Sequence, residues 1–327
     1  MSRHNLLMRI VTTYPFEACE IARIQQAAGV PVEIVICATR EEFREQLTEA
    51  EVVYGDVRED ELRLARQLRW IQAGTAGLDE LDAAVLRSPI PLTSYAATFA
   101  PCIAETGLGM LLCLTRGISR YYVPQFLRRK LEPVGTPKSA HHTELAGRTM
   151  GIVGMGGIGR ELARRAHYGL DMRVVGTDVR TASRPEYVAE LRDPSWFMEM
   201  ASQVDVLVAA APLTRATERM FNEQVFRGMR KSAYFLALSR GKLFDDMALV
   251  KALQEKWIAG AGLDVFPQEP PPPEHPIFDC SNVVMTAHTS GWSPDRQLRL
   301  IALFAENVRR YAAGEPLVNL VDKEKGY

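Results

Sequence analysis

Cysteine is scarce in this 327-residue chain: Cys19, Cys37, Cys102, Cys113 and Cys280 are the only five, and no two of them make a CxxC spacing. That excludes a disulfide framework and leaves no zinc-ligand pattern; most of the five lie in apolar stretches and read as small buried hydrophobes of a reduced compartment. An excess of either charge is missing too, since 39 Lys and Arg stand against 40 Asp and Glu for a formal net charge of −1. Nucleic-acid binders usually carry a clustered basic excess, so the balance points to a small-molecule partner. Long apolar runs are also absent: Leu6-Leu7-Met8 is cut short by Arg9, and no later uncharged run is both long and proline-free enough to cross a bilayer. The expectation is a soluble, cytoplasmic protein that binds neither nucleic acid nor membrane, with a length that suits two domains.

Glycine, by contrast, is placed with purpose. Met150 to Val153 reads as a buried strand that runs through Gly154-Met155-Gly156-Gly157-Ile158-Gly159 into a helix over 160–168. Gly154 permits the tight turn, Gly156 lets the backbone approach a pyrophosphate, and Gly159 lets the helix pack closely on its strand. The helix's free N–H groups and positive dipole end then face the phosphates. A second apolar strand, Arg173 to Thr177, ends in Asp178, where a carboxylate can accept from an adenosine ribose. The pattern predicts a dinucleotide site; a glycine-rich turn in a Rossmann-like scaffold without nicotinamide chemistry is the other reading.

Before this unit, β-type runs alternate with helical ones: Met8 to Val11 and Ala18 to Ala28, Val32 to Ile36 and Glu41 to Glu49, Val52 to Tyr54 and Glu59 to Gln67. Such alternation predicts a parallel sheet covered by helices, with ligands at the carboxyl ends of its strands. The strand around Trp70-Ile71 leads into Gly74-Thr75-Ala76-Gly77-Leu78-Asp79, whose backbone N–H groups suit a carboxylate, though a plain turn reads equally well. Residues 89–101 read as a crossing segment with a domain junction near Phe99, and 103–116 as an apolar helix. Residues 121–144 read as an irregular arm over a neighbour or a second subunit, in which His141 and His142 are more simply solvated than catalytic.

Four further strands are expected, over 204–211, 233–238, 259–263 and 282–286, each ending beside a polar residue: Thr214, Arg240, Asp264 and His288. Carboxyl ends of parallel strands converge, and that convergence makes these residues a candidate site. Arg240 has the planar fork to hold a carboxylate at two points, or is a surface arginine ending a strand. His288 is a candidate acid/base with Glu269 as its partner, or a structural histidine. Hydride transfer to a ketone leaves an alkoxide that needs a proton, and a neighbouring carboxylate stabilises the imidazolium that supplies it. A final helix over 295–313 starts at Ser293-Pro294.

In this order and combination the chain resembles the D-isomer-specific 2-hydroxyacid dehydrogenase family over nearly its whole length. The matching stretches are Thr75 to Asp79, Ile103-Ala104-Glu105, the glycine turn with Asp178, Pro212-Leu213-Thr214 with Thr217, Ser239-Arg240-Gly241, Gly262 to Phe266 with Glu269-Pro270, and His288 with Gly291. The resemblance implies two Rossmann-like α/β domains with a cleft between them. A discontinuous, flavodoxin-like substrate domain would span 1–99 plus 292–327, and an NAD(P)-binding Rossmann domain 100–291. It implies Arg240 as substrate anchor, Glu269 and His288 as the acid/base pair, and Thr75, Ala76 and Gly77 as a carboxylate cradle. Gly154, Gly156, Gly157, Ile158, Gly159, Asp178, Ala211, Pro212, Thr217, Leu238, Ser239, Arg240, His288 and Gly291 would line the cofactor, with Asp264 at the nicotinamide carboxamide. It also implies a homodimer formed through the cofactor domain, with the arm at the interface.

Ala237 and Ala287 depart from the family pattern, which commonly has asparagine and proline there; neither removes a catalytic group. Tyr54-Gly55-Asp56 falls where the family shapes the substrate side-chain pocket and has no basic residue for a phosphorylated substrate until Arg58. A small 2-keto acid such as glyoxylate, hydroxypyruvate or pyruvate is therefore preferred. Asp178 favours NAD, while Arg180 and Arg184 leave NADP possible. A nucleotide-sensing, corepressor-like protein and a phosphite- or formate-type dehydrogenase are the alternatives on the same scaffold.

Overall fold

The computed structural model describes residues 7–136 and 142–324, so His141 lies outside the described residues. The chain forms two compact units, residues 1–99 with 293–327, and residues 100–292.

In the first unit five parallel strands, β1 (Met8–Thr12), β2 (Val32–Ile36), β3 (Val52–Tyr54), β4 (Trp70–Gln72) and β5 (Leu92–Thr93), pair in the order β2-β1-β3-β4-β5. This is the flavodoxin-like winding, and the Val and Ile content of the strands fits a sheet covered on both faces. The helix Ala18–Ala28 opens on a Glu17/Glu20 capping box and stops at Gly29, whose φ of 67° suits glycine. The helix Pro294–Ala313 starts with the Ser293 side chain accepting from Arg296 N. Its buried face, with Leu300, Ile301, Phe304 and Val308, completes the core around Phe16, Tyr54 and Trp70. The Phe304 ring lies 4.6 Å from that of Tyr54, and burying such a side chain contributes about 1.5–3 kcal/mol. Asn307 is fully buried and both donates to Val318 O and accepts from Val318 N, pinning the last segment, where Val321 N donates to Leu92 O.

Two expectations change here. The helix over 59–67 is only Glu59–Leu62, because the chain must turn to seat Ala65 and Leu68 in the core before β4 begins at Trp70. The crossing segment contains β5. Of Tyr54-Gly55-Asp56, the Tyr54 side chain is buried in the core, where its hydroxyl meets that of Tyr95 at 3.1 Å and burial pushes its pKa up to about 12.

In the second unit seven parallel strands pair in the order β12-β11-β10-β9-β6-β7-β8: β6 (Thr149–Val153), β7 (Arg173–Thr177), β8 (Glu190–Arg192), β9 (Val206–Ala209), β10 (Tyr234–Ala237), β11 (Gly260–Leu263) and β12 (Val283–Met285). Strand order reverses between β6 and β9, so their carboxyl ends flank the switch point where such sheets bind ligands. The helix Ala100–Thr115 begins three residues before its expected start and packs close to β11, where a Cβ on Gly262 would meet Met110 Cβ at 2.9 Å. β8 was not expected; it is a short edge strand of Glu190, Leu191 and Arg192 with little apolar signal.

The arm is not wholly irregular, since Ile118–Tyr122 is a π-type turn and Val123–Leu127 a short helix with Pro124 near its start, where proline is tolerated. Of the cysteines only Cys37 and Cys280 are buried, while Cys19 is exposed. Among the described residues no helix is long and apolar enough to cross a membrane.

Candidate active site

The glycine turn leaves β6 with Gly154 at φ 95°. A Cβ on Gly154 would lie 2.6 Å from Ala211 Cα, and one on Gly159 2.1 Å from Gly154 O, so both positions are closed to any side chain. Gly156 differs: a Cβ there meets nothing of the protein within 4 Å. That open position precedes the helix Gly157–Leu170, whose N-cap Gly156 supplies no side-chain cap. The N–H groups that head this helix, beginning at Gly157 and Ile158, are thus left to a ligand, which fits a pyrophosphate.

At the end of β7 the Asp178 carboxylate accepts from Met155 N at 2.7 Å and from Arg180 N at 2.8 Å, which ties the glycine turn to the next loop. Arg160, not anticipated from sequence, reinforces the tie: it donates to Met155 O and to both oxygens of Ser183, each at 2.9 Å. Its signal was a basic residue one turn into a helix that starts on bare glycines. With Arg180 Nε 3.8 Å from Asp178 Oδ1, one carboxylate and two guanidinium groups stand together at the end of β7.

Across the switch point, Ser239 Oγ donates to Ala211 O at 2.9 Å and locks the end of β10 to the segment after β9. Thr217 Oγ1 donates to Pro212 O at 2.7 Å and accepts from Thr214 N, so its hydroxyl shapes the loop. The Leu238 side chain is buried against Gly107 of the helix Ala100–Thr115, and its N–H donates to Ala209 O.

Arg240 follows β10 in an extended conformation, half-buried, with Nη1 donating to Ser239 O at 2.8 Å. A Cβ on Gly241 would sit 1.9 Å from the Phe266 carbonyl carbon, so only glycine lets this segment press against the loop after β11. That loop carries Glu269, whose Oε1 accepts from Phe266 N at 2.8 Å and whose Oε2 lies 2.7 Å from His288 Nδ1. An ionised carboxylate only accepts, so opposite one it is Nδ1 that carries the shared proton, and Nε2 has no part in this contact.

His288 itself has φ 55°, a left-handed backbone that costs a non-glycine residue about 1–2 kcal/mol. Asp264, only 1% exposed, lies beneath this turn, with its carbonyl accepting from His288 N at 2.8 Å. Its Oδ1 accepts from Thr286 Oγ1 at 2.6 Å and from Thr289 N and Ser290 N at 3.1 Å, and its Oδ2 from Ser290 Oγ. A buried carboxylate needs its lone pairs filled, and this set fills them. Sequence reasoning passed over Thr286 and Ser290, whose signal was two hydroxyls flanking the candidate histidine. Gly291 continues the turn, in which Trp292 N donates to Thr289 O at 2.9 Å.

Asp264, Glu269 and His288 thus meet beyond the carboxyl ends of β11 and β12, and Arg240 follows the carboxyl end of the neighbouring β10. Thr75, Ala76 and Gly77 belong to the other unit, at the carboxyl end of β4. There Thr75 Oγ1 closes the loop on Gly77 O at 2.8 Å.

Comparison with known proteins follows the same lines. A model of the D-isomer specific 2-hydroxyacid dehydrogenase NAD binding domain matches residues 108–290. The chain is 34% identical over 263 residues to a glyoxylate reductase of Korarchaeum cryptofilum, covering 80% of this chain and 78% of that protein. It is 33% identical over 267 residues to a glyoxylate reductase of Pyrococcus furiosus, covering 80% and 77%. Among solved structures, an NADPH-dependent glyoxylate/hydroxypyruvate reductase from Sinorhizobium meliloti, in complex with NADP and sulfate, superposes with a TM-score of 0.79 at 25% identity, covering 98% of this chain and all of that one. With the profile spanning more than half of its length and such relatives spanning four fifths of it, the chain belongs to the D-isomer specific 2-hydroxyacid dehydrogenase family.

Proposed function

We propose that this enzyme reduces small 2-keto acids, glyoxylate and hydroxypyruvate foremost, to their 2-hydroxy acids, of D configuration where the new hydroxyl carbon is a stereocentre, and that Arg240, Glu269 and His288 carry the reaction. The observation that supports this most is the 2.7 Å contact between Glu269 and His288 in the same unit as the open Gly156 turn. A bound nicotinamide supplies the hydride. Arg240 holds the substrate carboxylate in its planar fork; in the other unit, the loop of Thr75, Ala76 and Gly77 has small residues whose backbone N–H groups are of the kind that bind a carboxylate. As the carbonyl oxygen gains charge, His288 delivers a proton to it from Nε2. Glu269 fixes the ring's tautomer and stabilises the imidazolium; in the reverse direction the same nitrogen takes the hydroxyl proton.

The test is nicotinamide absorbance during incubation with NADH, and separately NADPH, against glyoxylate, hydroxypyruvate, pyruvate, a bulkier 2-keto acid and phenylpyruvate. Oxidation fastest with the small acids is the expected result. Cofactor binding without turnover on any of them would overturn the reading in favour of a nucleotide-sensing protein.

Both NAD and NADP are candidates, with Asp178 favouring NAD. Because Asp178 also holds Met155, Asp178→Ala loosens the loop for either cofactor, and the informative quantity is a ratio. The KM for NADPH relative to that for NADH is expected to fall about tenfold, the equivalent of ~1.4 kcal/mol. An unchanged ratio would remove Asp178 from cofactor choice.

We further take the chain to work as a homodimer, a reading supported by Phe126, Leu127 and Leu131, each about three-quarters exposed on the arm. The sparse, unspaced cysteines support a cytoplasmic location.

A further inference from the structure

His288 holds a backbone conformation that its side chain does not favour, and its neighbours do not impose it: Ala287 brings no ring to stiffen the turn and Thr289 no glycine to relax it. What holds the turn is Asp264, and it does so from both sides. Thr289 N, Ser290 N and Ser290 Oγ attach the residues after His288, whereas Thr286 Oγ1 attaches the residue two before it, with the shortest of the three contacts on Oδ1 at 2.6 Å. The imidazole meets Glu269 only if the turn presents it at the right pitch, and Glu269 cannot follow a displaced ring because Phe266 N holds its other oxygen.

We propose that Thr286 is a positioning residue: through its hydrogen bond to Asp264 it fixes the left-handed turn at His288 and so the approach of the imidazole to Glu269. Its consequence for catalysis rests on the function proposed above; the geometry does not. Thr286 N also donates to Leu263 O, so the β-branched side chain sits on a backbone already paired to the neighbouring strand. A valine there keeps shape and strand pairing and removes only the hydroxyl.

The experiment compares wild type, Thr286→Val and Thr286→Ser by two readouts. In steady-state reduction of glyoxylate, Thr286→Val is expected to lower kcat about tenfold, the scale of one hydrogen bond to a charged group. The KM for NADH should stay within about twofold of wild type, and Thr286→Ser should restore most of kcat. The second readout needs no turnover: long-range 1H–15N correlations of the histidine rings at alkaline pH, with His288 assigned by its loss in His288→Ala. Wild type and Thr286→Ser should show the Nδ1–H tautomer that Glu269 selects, and Thr286→Val a shift toward the Nε2–H tautomer preferred in water. Wild-type kcat and an unchanged tautomer in Thr286→Val would overturn the proposal while leaving the enzymatic reading intact. A wild type that reduces no 2-keto acid, with the tautomer shift still seen in Thr286→Val, would leave the clamp standing and remove the reaction.

Discussion

Replacing His288 by alanine is expected to lower kcat about 10²–10⁴-fold, while the KM for NADH stays within about threefold of wild type. The asymmetry follows from where the side chain acts. Its Nδ1 is committed to Glu269, and its Nε2 has work to do only as the carbonyl oxygen gains charge, so the loss falls on the transition state. The fold should tolerate the change, because the ring is 41% exposed and the alanine leaves the Asp264 contacts of Thr286, Thr289 and Ser290 in place. Alanine still has to adopt φ 55°, so the thermal midpoint must be measured beside the rate. Near-wild-type turnover in a folded variant would take the histidine out of the mechanism.

Arg240→Ala is expected to lower kcat/KM for glyoxylate about 10²–10³-fold, because a carboxylate that enters the site would lose its guanidinium partner. Lysine should recover little of this, since an ammonium cannot reproduce two parallel donors in one plane. A neutral aldehyde of similar size separates anchoring from general damage. Lacking the carboxylate, it gains little from Arg240, so wild type and variant should reduce it at comparable low rates. If aldehyde and keto acid lose equally, Arg240 supports structure and anchors nothing.

The sequence declares both residues in the same way. Arg240, Asp264 and His288 each follow an apolar run long enough to read as a buried strand, and parallel strands oblige their carboxyl ends to converge. The site was therefore legible as a set before any member was secure. β8 was not legible, because an edge strand made of Glu190, Leu191 and Arg192 carries a single apolar residue and takes its structure from pairing with β7. The short helix at Glu59–Leu62 misled for the opposite reason, since Leu62, Ala65 and Leu68 continue a helical spacing after the backbone has left the helix.

Thr286 and Arg160 were hidden differently. Their side chains bond to groups brought near by folding, Asp264 from a neighbouring strand and Ser183 from the loop after β7, and no local pattern records such partners. Tyr54 was hidden in the same way, since its side chain packs in the core against Phe304, some 250 residues later.

That last contact bears on how the polypeptide leaves the ribosome. The sheet of the first unit is synthesised by Thr93, but the helix that covers Phe16, Tyr54 and Trp70 does not begin until Pro294. At about 5–20 residues per second, the intervening stretch takes roughly 10–40 s to emerge. By the end of that interval the continuous unit of residues 100–292 has everything it needs to close its own core, while the earlier one has waited with an aromatic face uncovered. The segment made first is thus finished last, and its nascent form is the one that needs shielding from aggregation.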